Sequence, residues 1–109
     1  MGVYRMHTDS AGDSRIDELT ETEERIAAGG PADHIRFREI PDGRFKDWHT
    51  PTRRHFTIML AGQLEIGLKN GTWKLGPGDA VLVEDMTGTG HTSTWTGDGG
   101  VVVAVVDLP

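Results

Sequence analysis

The chain has 109 residues, no cysteine, a formal charge of −6, and no apolar run longer than the six residues of Val101–Val106. The lack of cysteine excludes disulfides, thiol catalysis and cysteine-based zinc sites, and the acidic balance argues against nucleic-acid binding. Because a membrane span needs about 20 apolar residues and residues 1–12 lack the pattern of a secretion signal, we expect a cytoplasmic protein with no membrane partner.

The first part of the chain, residues 1–33, is acidic, with seven aspartates and glutamates among the first 24 positions. Ser14 and Asp17 resemble the start of a helix, and the segment 14–28 is long enough to form one. The run Arg15–Leu19 also fits an edge strand. The sequence therefore predicts an acidic N-terminal segment that contains either an edge strand or a short helix.

Residues 34–109 form the second unit, and short strand-like runs separated by turns follow each other through it. Ten of the fifteen glycines lie after residue 60, and Asn70-Gly71 is a strong signal for a β-hairpin. Alternating or continuously apolar residues predict seven or eight strands, at His34–Ile40, His55–Leu60, Leu64–Leu68, Thr72–Leu75, Ala80–Glu84, His91–Thr96 and Val101–Val106. This pattern predicts an all-β protein, a small antiparallel β-barrel.

Three of the five histidines, His49, His55 and His91, lie in this β-rich part. Imidazole is the commonest metal ligand in proteins. On a straight strand His49 and His55 would stand about 20 Å apart, so they can meet only if the chain folds back between them. Thr50-Pro51-Thr52 supplies a break, because proline interrupts strand pairing. The spacing leaves open whether the three histidines form a site or are unrelated.

Two stretches of the chain resemble the conserved motifs of the cupin superfamily. The first is FKDWH at 45–49 followed by RRHFTIMLAGQLE at 53–65, and the second is GPGD at 76–79 followed by ED at 84–85 and GTGH at 88–91. The resemblance covers about residues 34–109. It implies a jelly-roll barrel, also described as a double-stranded β-helix, and a role in small-molecule metabolism.

The same resemblance implies a metal site that departs from the usual one. Counting from Gly62, the first motif histidine is His49, Pro51 stands where a second histidine is common, and His55 stands where a glutamate is common. The histidine of the second motif is His91. The implied ligand set is His49, His55 and His91, and three imidazoles with open positions can hold a divalent ion such as Fe, Zn, Ni or Mn.

Several further residues are candidates for the site. His55 or Glu84 could act as an acid or base if no metal is bound. Arg53 and Arg54 could bind a carboxylate or phosphate through two parallel hydrogen bonds. Candidate pocket residues share strand parity with a histidine; they are Thr57 and Met59, which match His55, and Trp95, which matches His91.

Two hypotheses for function follow from these residues. The first is a metal-dependent enzyme acting on a small polar metabolite, as a dioxygenase, isomerase, cyclase or lyase. The alternative is a metal-free module that binds a small ligand without turnover. In either case the run Val101–Val106 is apolar on both faces, so one face needs cover outside the barrel. We therefore expect a homodimer joined through the outer face of one sheet, with the N-terminal segment contributing. The alternative is a monomer in which residues 14–28 fold over the sheet as a helix.

Overall fold

The computed structural model describes residues Met1–Pro109, except for the side chain of Ile26, and consists almost entirely of β-strands. Ten strands and one short helix follow each other along the chain: β1 (Val3–Thr8), β2 (Ser14–Glu18), α1 (Thr22–Ala28), β3 (His34–Ile40), β4 (Arg44–His49), β5 (His55–Ala61), β6 (Gln63–Leu68), β7 (Gly71–Leu75), β8 (Ala80–Val83), β9 (His91–Thr96) and β10 (Val101–Asp107). The all-β prediction is confirmed. The described part of the chain contains no helix with the length and hydropathy of a membrane span.

The strands form two sheets. One has six strands in the order β2-β1-β8-β5-β10-β3, and the other has four in the order β4-β9-β6-β7. All neighbouring strands are antiparallel except β1 and β8, which run parallel. Consecutive strands therefore often lie in different sheets, as β3 and β4 do, and the two sheets enclose a common interior.

The hairpin between β6 and β7 lies one residue earlier than the sequence signal suggested. Leu68 pairs with Gly71, so the two turn residues are Lys69 and Asn70, and Gly71 is the first residue of β7. Leu64, Ile66 and Leu68 alternate with exposed or half-buried residues, as the period of a strand requires. The predicted alternation of this strand is thus observed.

The hydrophobic core lies between the sheets and is built from the inward-facing residues of both. Its members are Met6, Ile16, Ile40, Met59, Leu64, Ile66, Leu68, Leu75, Val81, Val83, Val101, Val103 and Val105, with Tyr4, Trp73 and Trp95 packed against them.

The N-terminal segment is part of the six-stranded sheet. Both alternatives for residues 14–28 are realised in part, because Ser14–Glu18 is a strand and Thr22–Ala28 is a helix. The sequence did not predict β1, which lies between β2 and β8 and brings Met6 into the core. The division at residue 33 is therefore one of composition, since the first two strands complete the barrel.

Candidate functional site

A cavity of about 260 Å³ lies between the two sheets. By the volume that liquid water occupies, it would hold roughly nine water molecules, which is the size of a small metabolite. Strands of both sheets contribute to its wall, and so does the segment Thr50–Arg53 that follows β4. His49, His55 and His91 all line it.

The three histidines come from three strands. His49 at the end of β4 pairs with His91 at the start of β9, and their ring centroids are 4.4 Å apart. His55 begins β5 in the other sheet, beside Asp107 and Val83. The break at Pro51 allows the chain to cross between the sheets, so His49 and His55 face one cavity, as the fold-back argument required.

A shared metal ion would require the three imidazoles to converge on one point. Among the residues that the structure describes, no three histidine, aspartate or glutamate side chains are placed to hold one ion. His49 and His91 are close together, whereas His55 does not join them. The arrangement therefore does not fit a three-histidine centre, and the metal ion stays a prediction of the sequence motifs.

Each of the three imidazoles uses its Nδ1 atom for a contact with the protein. Nδ1 of His49 lies 2.7 Å from the carbonyl oxygen of Asp47, and Nδ1 of His55 lies 2.9 Å from that of Arg53. A carbonyl oxygen only accepts, so Nδ1 must carry the proton in both rings. In the neutral ring Nε2 is then unprotonated, and it can accept a hydrogen bond or a proton from a molecule in the cavity.

His91 is oriented by a buried carboxylate instead. Its Nδ1 lies 2.7 Å from Oδ2 of Asp85, and the same oxygen accepts a hydrogen bond of 2.6 Å from Oγ of Ser14 on β2. Ser14, Asp85 and His91 are all buried, and Asp85 is completely inaccessible to solvent. A carboxylate in this position fixes the ring and its tautomer and leaves Nε2 for the cavity, as in histidine–aspartate pairs of acid–base sites.

Burial keeps two of the imidazoles neutral. Loss of solvation lowers the pKa of His49, and the nearby imidazole of His91 and ammonium of Lys46 lower it further. Loss of solvation also lowers the pKa of His55, with the guanidinium of Arg36 acting in the same direction. Near neutral pH both rings are therefore proton acceptors.

One close backbone contact supports the histidine pair. Gly90 precedes His91 and has a φ of +77°, a conformation that disfavours other residues. A Cβ atom there would collide with the carbonyl oxygen of His49. Gly90 is thus needed for the approach of the loop before β9 to the end of β4, which brings the two rings together.

The cavity is strongly cationic, in contrast to the protein as a whole. Five of the eleven lysines and arginines line it, against one of the seventeen aspartates and glutamates. The cations are Arg36, Arg38, Arg44, Lys46 and Arg53, and the acid is Asp107. With neutral histidines, the wall carries an excess of four positive charges in a protein of net charge −6.

This charge results from an inverted alternation on β3 and β4. Arg38 faces the cavity while its neighbour Phe37 is 71% exposed, and Lys46 faces the cavity while its neighbour Phe45 is 58% exposed. In most strands of a small barrel the apolar face is turned inward. Here the polar face of two successive strands is turned inward, and it forms one side of the cavity.

The ligand-binding residues suggested by the sequence divide into two groups. Arg53, Thr57 and Trp95 line the cavity. Met59 is not among the lining residues and lies in the hydrophobic core. Arg54 is not a lining residue either, since it pairs with Glu84.

Glu84, expected as an acid or base, lies away from the cavity wall. It forms ion pairs with Arg5 and with Arg54, the latter at 2.9 Å. Burial alone would raise the pKa of Glu84, but hydrogen bonds from the two guanidinium groups outweigh this effect and lower it. Near neutral pH Glu84 is thus an ionised partner of two arginines. His55 is the cavity residue of the predicted acid–base pair.

The sequence analysis missed the residues that give the cavity its charge and hold His91. A signal for the first existed, because the cations at 36, 38, 44 and 46 share one parity on either side of the turn Pro41-Asp42-Gly43. No local signal connects Ser14 with Asp85, which are 71 positions apart.

Comparison with solved structures supports the fold. A structural-genomics protein of unknown function from Rhizobium leguminosarum is similar with a TM-score of 0.56 and 21% identity over 69% of this chain and 68% of its own. A cupin-2 domain protein from Shewanella frigidimarina matches with a TM-score of 0.49 and 11% identity over 84% of this chain and 95% of its own. The Cnp3 cupin domain of Schizosaccharomyces pombe matches with a TM-score of 0.48 and 10% identity over 100% of this chain and 83% of its own.

These likenesses concern the fold alone, because all the identities are below 25%. No protein-family model and no curated protein matches the sequence. The chain shares its two-sheet fold with the Rhizobium leguminosarum protein, and its resemblance to the cupin superfamily rests on the two sequence motifs.

Proposed function

We propose that this protein binds a small polar metabolite in the cavity between its sheets, with the Nε2 atoms of His49, His55 and His91 as its hydrogen-bonding groups. The observation that carries the proposal is the joint orientation of three imidazoles toward one cavity of about 260 Å³. In each ring Nδ1 is held by the protein, so Nε2 is the atom available to a ligand. Preoriented polar groups in a concave site are typical of small-molecule binding.

The indole N–H groups offer a direct test of binding at this place. Trp95 lines the cavity, whereas Trp73 packs edge-to-face against Tyr4 with centroids 5.5 Å apart and is not a lining residue. In a screen of small polar metabolites by protein NMR, binders should shift the indole signal of Trp95 and leave that of Trp73 in place. A His91→Phe variant keeps an aromatic ring but lacks Nε2, and it should bind them more weakly.

The proposal would be abandoned if no compound moved the Trp95 signal. It would equally be abandoned if binders kept full affinity in His91→Phe and in the corresponding variants of the other two histidines, because the imidazoles would then have no part in recognition.

A second candidate function is acid–base turnover of the bound molecule. It is favoured by the lowered pKa values of His49 and His55, which make both rings bases near neutral pH. In this reaction Nε2 of one ring would remove a proton from a carbon of the ligand, the resulting imidazolium would exchange that proton with solvent, and the same Nε2 would return a proton to the carbon. Exchange of ligand hydrogen for deuterium in heavy water, lost in His55→Gln while binding persists, would support catalysis over binding alone.

Metal-dependent turnover is the remaining candidate, and it requires His55 to move toward the pair His49 and His91. Metal analysis of the untagged protein after incubation with Fe(II), Zn(II), Ni(II) or Mn(II) decides this. About one equivalent of metal, lost in His91→Ala and kept in a variant of the exposed His34, would favour the metal enzyme. Substoichiometric metal in all three proteins would favour the metal-free site.

A further inference from the structure

We propose that the ligand of this cavity is a small organic dianion, and that Arg38, Arg44 and Lys46 form its anion-binding subsite. The inference rests on the proposed function, since it names the chemical class of the molecule that enters the same cavity. It assigns a role to three residues that were not candidate site residues in the sequence analysis.

The distribution of charge is the first argument. A protein with a net charge of −6 has concentrated nearly half of its cations in one cavity wall, where only Asp107 is acidic. Like charges that line a concave surface repel each other, and this repulsion is relieved when an anion binds. The same wall repels cationic ligands, and a neutral ligand would leave the repulsion between the cations unrelieved.

Ion pairing separates the five cations into two groups. Arg36 is engaged with Asp107, since Nε and Nη2 each donate to the carboxylate at 3.2 Å. Arg53 is engaged with Asp33 at 2.7 Å and with the carbonyl oxygen of Leu108 at 2.9 Å. These two guanidinium groups already have anionic partners, so they stabilise the wall of the cavity.

The other three cations have no such partner. Among the described side chains, no carboxylate forms an ion pair with Arg38, Arg44 or Lys46. All three face the cavity, and their backbones are fixed in register, Arg38 beside Val103, Arg44 beside Trp95 and Lys46 beside Ser93. They are therefore oriented by the sheets while their charged ends remain available.

The number of free charges indicates a dianion. A single carboxylate would satisfy one arginine fork and leave two cations facing each other. Two carboxylates, or one phosphate monoester, match three unpaired cations more closely. The cavity volume of about 260 Å³ limits the rest of the molecule to a few carbon atoms, which excludes a polyanion such as a nucleic acid from the interior.

The test measures binding of four small probes at constant ionic strength: malate, glycerol phosphate, lactate and glycerol. Each carries a hydroxyl group that can donate to an unprotonated Nε2 atom, so the probes differ mainly in charge. Working at about pH 8 keeps the phosphate monoester doubly ionised, because its second pKa is about 6. The readouts are the indole shift of Trp95 and the dissociation constant. We expect malate or glycerol phosphate to bind, lactate to bind at least about tenfold more weakly, and glycerol to produce no shift.

Variants then assign the subsite. Arg38→Gln, Arg44→Gln and Lys46→Gln should each weaken binding of the better dianion by about tenfold, since each removes a charge-assisted hydrogen bond. Lys74→Gln is the matched control, because Lys74 is an exposed residue of β7 outside the cavity wall and its loss changes the net charge equally. The substituted residues lie on exposed strands. A thermal unfolding midpoint near that of the parent protein will show that each variant folds.

Each outcome of the binding measurements leads to a different conclusion. Tighter binding of malate assigns a dicarboxylate, and tighter binding of glycerol phosphate assigns a phosphorylated ligand. If neutral metabolites shift Trp95 while neither dianion does, the dianion inference is wrong and the proposed function stands. If no molecule of any charge shifts Trp95, the proposed function fails as well. Equal weakening in Lys74→Gln and in the three cavity variants would also overturn the subsite, because only net charge would then matter.

Discussion

Nδ1 of His91 lies 2.7 Å from Oδ2 of Asp85, a carboxylate with no exposure to solvent that also accepts a hydrogen bond from Ser14. A buried carboxylate is costly unless its charge is compensated by hydrogen bonds. Here the compensation joins three distant parts of the chain, namely β2, the loop after β8 and the start of β9. The orientation of a cavity histidine thus depends on the N-terminal segment.

This relationship predicts the effect of removing one hydroxyl group. Ser14→Ala should lower the free energy of unfolding by roughly 1–3 kcal/mol, because Asp85 stays buried with one hydrogen bond fewer. Urea denaturation measures the change, and Ser10→Ala in the exposed turn after β1 is the control. A loss in Ser14→Ala no larger than in the control would show that the hydrogen bond does not stabilise the carboxylate.

The lowered pKa values of His49 and His55 predict how stability depends on pH. In the unfolded chain a histidine has a pKa of about 6.5, so the unfolded state takes up protons below this pH more readily than the native state does. The free energy of unfolding should therefore be constant just above pH 6.5 and fall as the pH is lowered from about 6.5 toward the native pKa values.

Denaturation over a pH series checks this dependence. His55→Gln should flatten the slope in that window, because the variant has no imidazole to protonate on unfolding. His34→Gln, which changes an exposed histidine at the edge of the six-stranded sheet, should keep it. An unchanged slope in His55→Gln would contradict the assignment.

The close approach of Gly90 to the carbonyl oxygen of His49 predicts a position-specific cost. Gly99 has a similar φ of +85° but open space around its Cβ position, so Gly99→Ala should lose only the roughly 1–2 kcal/mol of the left-handed conformation. Gly90→Ala should lose clearly more and should also move the Trp95 signal of the cavity. Equal losses of unfolding free energy in the two variants, measured by urea denaturation, would mean that the backbone around His49 can shift without a cost in stability.

The expected homodimer concerns the outer face of the six-stranded sheet. Phe37, Ala104 and Ile58 lie side by side in register across β3, β10 and β5. We expect a second copy to cover this row, giving about twice the chain mass of 11.9 kDa in light scattering coupled to size exclusion.

Introducing a positive charge into this apolar surface tests that expectation. Phe37→Lys should shift the protein toward the mass of one chain, whereas Phe45→Lys on the other sheet should not. A parent protein of single-chain mass at micromolar concentration would rule the dimer out, and dissociation by Phe45→Lys alone would place the interface on the other sheet.

The strands could be predicted where one residue type alternates with another, as in Leu64–Leu68, or where a short run is wholly apolar, as in Val101–Val106. For β3 and β4, the face that is turned toward the interior could not be predicted. Alternation defines the two faces of a strand and does not determine which of them is inside. Apolar Phe37 suggests the interior by its chemistry, yet Arg38 faces it. The motif resemblance indicated His49 and His91 as neighbours, and the structure pairs them.

The remaining parts of the site depend on long-range pairing. β1 has no pattern that reveals a parallel partner beginning at Ala80. The second motif includes Asp85 in the loop before His91, but the contact of Asp85 with Ser14 follows only from the assembled sheet. Local sequence thus predicted the framework and the histidines, whereas the charge of the cavity and the support of His91 required tertiary structure.

The parallel pairing of β1 with β8 has a consequence for the synthesis of the protein. β1 is synthesised long before its partner strand, because Val3 pairs with Ala80, 77 positions further along the chain. Until then the edge of β1 is open, and open β edges promote aggregation. The hairpin of β1 and β2, residues 3–18, carries four acidic residues against two arginines, and this net negative charge opposes pairing between the open edges of nascent chains. Folding should therefore end with the insertion of the N-terminus, a late and slow step that also completes the hydrogen bonds of Asp85.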